Sequence, residues 1–235
     1  MILRLVDIYE EIAMRMPGEC IFIIGDMNAR VGEFNNNILT PLQNALLKEC
    51  RKSSDLKVNT RGKGVTEKFL EHDLILLNGR SLSDYPAAMT YISPQGSSVI
   101  DLCWSNTVGS THVHNFNVLD IPSSPHLPIC LYLVDITKTK VGLNVDDLNE
   151  AITFSVKHAA TQCNMQKQVK SLPPGSRTRP WYDHECRKSR QKVIQSLKDL
   201  RRSLYTSQAH LRFTNARKEH SNLIQACSRQ PNMYL

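Results

Sequence analysis

What the chain lacks excludes several classes of protein at once. Its 235 residues contain nothing near the run of roughly 18 or more apolar residues that a membrane span needs. The apolar runs present, such as Cys20 to Ile24, are the size of a strand. The first helix-like segment carries Asp7, Glu10 and Glu11 and no small-residue cleavage site, so it does not read as a secretory signal. Seven cysteines stand at 20, 50, 103, 130, 163, 186 and 227, and no two have the C-x-x-C spacing. An odd, scattered set argues against both a disulfide framework and a zinc site. No N-x-S/T acceptor and no internal repeat is present either. These absences point to a reducing compartment, nuclear or cytoplasmic, and not to a secreted or membrane protein.

What is present is an uneven distribution of charge. The net charge of +7 divides into −4 over residues 1–137 and +11 over residues 138–235. A basic module behind a mildly acidic one makes DNA or RNA the natural partner of the C-terminal region. The plainer alternative is a solvated helical surface.

Hydrophobic periodicity predicts the elements. Ile2, Leu5, Val6, Tyr9, Ile12, Ala13 and Met16 share one helical face, stopped by Pro17 and Gly18. Residues 20–25 read as a buried strand, 62–72 as a helix with Val65, Phe69 and Leu70 inward, and 74–77 as another strand. Short strands are expected at 89–92, 98–104, 115–121 and 127–134. This is an α/β (α+β) layered domain. Composition changes near Lys138. A weak helical pattern over 146–169 is followed by a Pro/Gly/Ser-rich break at 171–180. Asp183 then stands as the N-cap of one long helix, 184–228, with an apolar seam of Val193, Leu197, Leu200, Leu204 and Leu211 among many lysines and arginines. Residues 1–137 and 138–235 are therefore the expected domain and basic helical linker region.

Three signals carry chemistry. The buried strand runs into Gly25-Asp26-Met27-Asn28, setting a carboxylate beside an amide at a sheet edge, where they can orient a water and hold a phosphate oxygen. The same residues are ordinary in an Asx-turn. Asp101 sits between Ile100 and Leu102 in an apolar segment, and a carboxylate buried there requires a partner. His126 opens the last strand, and a lone histidine is more often structural. An Asp–His pair changes that balance, because the carboxylate fixes the imidazole tautomer and stabilises the imidazolium.

GDMNARVGE (25–33), the segment from RGKG to LNGRS (61–81), TYISPQGSSVIDLCW (90–104) and SSPHLPI (123–129) resemble, in order, the second half of the endonuclease/exonuclease/phosphatase superfamily. Within it they are most similar to the endonuclease of non-LTR (LINE-like) retrotransposons. RPWYDHEC (179–186) and the basic helix after it resemble the segment joining that endonuclease to the reverse transcriptase. This segment argues against the inositol-phosphate phosphatases and sphingomyelinases of the same superfamily. Asn144-Val145-Asp146-Asp147 lacks the aromatic residue of a reverse transcriptase catalytic motif and reads as the first turn of a helix.

The resemblance implies a four-layer α/β sandwich that cleaves a phosphodiester with Mg²⁺. By motif, Asp26 would position or activate the attacking water, with a possible role at the metal, and Asn28 would contact the phosphate. Asp101 would orient His126, which would face the scissile phosphate. Thr90 and Ser98 would serve as phosphate or outer contacts. Where the family has Ser-Asp-His, this chain has Ser124-Pro125-His126, so one acid of the metal cluster is replaced by proline. The family's early Asn, metal-binding Glu, Tyr and His have no counterpart here. The resemblance thus implies the C-terminal half of such a domain, catalytically impaired, with a sheet face left open to a partner. The alternative is a non-enzymatic nucleic-acid- or partner-binding remnant, or a degenerate fragment without function.

Overall fold

A computed structural model describes residues 2–34, 42, 44–134 and 182–229. The helical pattern expected at 146–169 and the break at 171–180 lie outside the described residues. Helix α1 (Ile2–Arg15) leads into strand β1 (Phe22–Asp26). Helix α2 (Thr60–Leu70) follows, then β2 (Ile75–Leu76), β3 (Tyr91–Ser93), β4 (Gly96–Ser98) and β5 (Asp101–Ser105). A short helix α3 (Thr107–Thr111) precedes β6 (Val113–Val118) and β7 (Ile129–Leu133). Helices α4 (His184–Arg202) and α5 (Ser207–Arg229) complete the chain's described part. The result is a mixed α/β fold with three small antiparallel sheets, ordered β1-β5-β2, β3-β4 and β6-β7.

Side-chain alternation along the central strands sorts the core into two sets. Leu76, Leu102 and Trp104 point to one face, where Val65 and Phe69 of α2 meet them, and the Phe69 and Trp104 rings pack edge-on at 5.0 Å. Ile75, Leu77 and Cys103 point to the other, against Val113 and Phe116 of β6. Helix α2 begins at Asn59, whose side chain accepts the Gly62 amide. A Cβ at position 62 would overlap the Arg30 carbonyl oxygen, so this approach of helix to loop requires glycine. Leu70, expected inward, is exposed, because it lies a further 100° around the helix from buried Phe69. Helix α1 buries Val6, while Ile12 and Met16 of its expected apolar face remain exposed.

Two expectations are corrected. The strand expected over 98–104 is two strands in different sheets, broken at Val99 and Ile100. Their amides bond to the Asp55 carboxylate and the Thr90 hydroxyl instead of to a ladder. The single helix expected over 184–228 is a hairpin of two. Leu204 and Tyr205 adopt left-handed φ values of 52° and 61°, reversing the chain without glycine or proline. Leu204 and Leu211 are therefore exposed, and the buried seam passes from Val193, Leu197 and Leu200 to Ala209, Phe213 and Ala216.

The hairpin shares a core cluster with Met89, Ile92, Val118 and Leu127. The Met89 amide donates to the Tyr205 hydroxyl at 3.0 Å, and the Arg201 and Arg217 guanidinium groups donate to the carbonyls of Val118 and Ile92. The basic helices thus cover part of the α/β body. Among the described residues, Ile24 of β1, 49% exposed, and Tyr132 and Leu133 at the end of β7 are apolar side chains left in solvent.

Candidate active site

The ends of β1 and β5 bring the first two acids together. Asp26 and Asp101 are register partners in the antiparallel β1–β5 pair, and the Met27 amide extends the ladder to the Ile100 carbonyl. Met27 and Ala29 are buried, so the alternating Asp26 and Asn28 turn toward solvent. Asn28 has φ of 49°, a left-handed conformation that asparagine tolerates better than most residues. Its backbone amide donates to Asp26 Oδ1 at 2.8 Å, and its side-chain amide lies 3.4 Å from Asp26 Oδ2. This is the Asx-turn, but its carboxylate also faces a histidine.

His126 precedes β7 on a segment bridged to β3 at Tyr91. Its Nδ1 lies 3.1 Å from both oxygens of Asp101. The carboxylate therefore accepts a hydrogen bond from Nδ1–H and leaves Nε2 directed outward. Nε2 stands 4.0 Å from Asp26 Oδ2, too far for a hydrogen bond. A water set to one side of that gap can bond to both, donating to the Asp26 carboxylate. The Tyr91 ring packs edge-on against the imidazole, centroids 4.9 Å apart, and limits its rotation. The ligand atoms of Asp26, Asp101 and His126 all lie within 4.8 Å of one another.

Thr90 organises this arrangement without touching it from outside. It is fully buried, so it cannot meet a bound phosphate. Its hydroxyl oxygen accepts the amides of Ile100 and Asp101 at 3.1 and 3.0 Å, and its carbonyl accepts the Leu127 amide at 2.7 Å. Its amide donates to Ser98 at 3.0 Å. Ser98 itself lines a neighbouring groove with Arg30, Asp55, Lys57 and Tyr91, and not the acid–histidine cluster. Pro125 is exposed, and its carbonyl accepts the Ile92 amide at 2.9 Å.

Sequence reasoning missed two supports. Asn78, legible only as part of an Asn-Gly turn, is fully buried and clamps β5, donating to the Asp101 carbonyl and accepting the Cys103 amide. Asp55, outside every element expected from the sequence, pairs with Arg30 at 2.5 Å and receives the Val99 amide at 3.0 Å. It thereby sets the bend that lets β5 start at Asp101.

The donor set suits a divalent oxygen-seeking cation only thinly. Asp101 is turned to His126 and its side chain is only 13% exposed, whereas that of Asp26 is 36% exposed, so Asp26 is the carboxylate open to a cation although it also accepts from Asn28. Mg²⁺ is commonly held by one or two carboxylates with waters and substrate phosphates, so Asp26 fits as a single anchor. No protein family, curated protein or solved structure matches the chain. Among the described residues, no helix is long and apolar enough to cross a membrane.

Proposed function

We propose that the Asp26–His126–Asp101 cluster is the active centre of a Mg²⁺-dependent phosphodiesterase of the retrotransposon endonuclease type, working at reduced rate. The observation that supports this reading is the His126 imidazole, gripped by Asp101 at Nδ1 and facing Asp26 across 4.0 Å at Nε2. In the scheme, water attacks phosphorus and gives one proton to Asp26, while the bond from phosphorus to the leaving sugar oxygen breaks and that oxygen takes a proton from solvent water. His126 in its imidazolium form, steadied by Asp101, donates to a phosphoryl oxygen as negative charge develops there. The exposed Asn28 amide can supply a second donor to the same group. A cation anchored by Asp26 would neutralise phosphate charge and lower the pKa of the attacking water. Rate is reduced because Pro125 stands where the resemblance calls for an acid, and proline supplies neither charge nor N–H. The four-layer sandwich that goes with this reading is part of the same proposal.

The test is nicking of supercoiled plasmid by the purified chain with and without Mg²⁺. Slow Mg²⁺-dependent nicking that His126→Ala and Asp101→Ala both abolish is the expected result. Nicking unaffected by His126→Ala would remove the cluster from the chemistry.

A second reading, nucleic-acid binding without cleavage, is favoured by the row of exposed cations on the hairpin, among them Arg187, Lys188, Arg190 and Lys198. On duplex DNA such binding falls with a log–log salt slope of about −0.9 per phosphate contacted. Binding with that slope and no nicking would select this reading.

A further inference from the structure

The open end of the hairpin brings together three side chains that the cysteine spacing gave no reason to connect. Cys186 lies in the first turn of α4 and Cys227 in the last turns of α5, 41 residues apart, yet their sulfurs are 3.7 Å from each other. Asp183, the N-cap of α4, has a carboxylate oxygen within 4.8 Å of both sulfurs. Its Oδ1 also accepts the Cys186 amide at 2.9 Å, so the cap holds the carboxylate beside the thiols.

The sulfurs are in contact but not covalently joined. A disulfide needs its sulfurs about 2.05 Å apart. The 3.7 Å found is that of an S–H···S contact, and it is close to the ~3.8 Å at which two thiolates stand on one zinc ion at about 2.3 Å with tetrahedral angles, so the pair can take the ion with little movement. Cys186 is buried and Cys227 half-buried, while Asp183 is exposed. A soft, largely enclosed sulfur pair with one carboxylate at its mouth is a donor set that zinc favours over magnesium or calcium.

We propose that Asp183, Cys186 and Cys227 form a zinc site, with water in the fourth position, that ties the start of α4 to the end of α5. The other end of the hairpin is closed by its turn at residues 203–206, so the ion ties the end opposite the turn. The site is separate from the acid–histidine cluster and needs no catalytic activity.

The test uses the full chain, purified reduced and loaded with Zn²⁺ or Co²⁺ alone. One tightly held zinc per chain is expected, with thiolate-to-metal charge-transfer absorption in the cobalt form and a higher Tm with zinc than with chelator. Cys227→Ser should weaken zinc binding by more than the ~10–100-fold that loss of an outer partner costs. Asp183→Asn preserves the helix cap while weakening a ligand, so it should lower affinity with helix content unchanged. Cys50→Ser, an exposed cysteine elsewhere, should change nothing. Binding no stronger than that of Cys227→Ser, an equal loss in Cys50→Ser, or a Cys186–Cys227 disulfide in the reduced preparation would each overturn the site.

Discussion

The Thr90 hydroxyl oxygen accepts the Asp101 amide at 3.0 Å while the Thr90 carbonyl accepts the Leu127 amide at 2.7 Å. One buried residue thus sets the position of the acid and of the histidine that meets it. Each buried amide left without its acceptor costs about 1–3 kcal/mol. Thr90→Val, which keeps the shape and removes the oxygen, should destabilise the fold by about that much or more. Thr90→Ser should recover most of the loss. Denaturant unfolding of the two variants decides this, and equal stability of valine and wild type would refute the role.

Pro125→Asp should raise the Mg²⁺-dependent nicking rate, but by well under the ~10²–10³ that one preorganised electrostatic contributor commonly supplies. The gain is limited because Asp101 is turned to His126, leaving Asp26 as the other solvent-facing carboxylate. Folding should tolerate the change, since position 125 is exposed and its carbonyl bond to Ile92 is retained. A rate below that of the parent chain would count against an acid at this place.

Leu197 is fully buried in the cluster that joins the hairpin to Met89 and Leu127. Leu197→Ala should cost about 2–5 kcal/mol. Because the helices share this core with the body, far-UV circular dichroism and Trp104 fluorescence, read in a Trp181→Phe background, should shift their midpoints together. Loss of helix signal with an unchanged tryptophan transition would show that the hairpin folds by itself.

Burial pushes the Asp84 carboxyl up to about 7, although the amides of Ala88 and Gly79 and the charges of Arg201 and Arg51 pull it down. A folded pKa above the unfolded value means that the folded state prefers the proton. The contribution is fully present below about pH 4 and is lost as pH rises through about 7. Asp84→Asn removes this titration. The Tm of wild type relative to Asp84→Asn should therefore fall between pH 5 and 8, and a rising difference would contradict the burial argument.

Much of this protein follows from local pattern. Val65 and Phe69 one helical turn apart, Leu102 and Trp104 two residues apart and Asp183 before His184 determine an inward helix face, a strand face and a helix start by geometry that any short segment carries. The Asp101–His126 pair was legible because a carboxylate in an apolar segment must find a partner. Other features were decided only by the tertiary structure. The break at Leu204 and Tyr205 has no glycine or proline to announce it, and the helices turn back because doing so buries Phe213 and Ala216 with Leu197 and Leu200. The strand expected through Val99 divides because Asp55 and Thr90, 44 and 10 residues earlier, capture its amides. Cys186 and Cys227 are strangers in sequence and neighbours in space for the same reason: an antiparallel hairpin sets its first residues against its last.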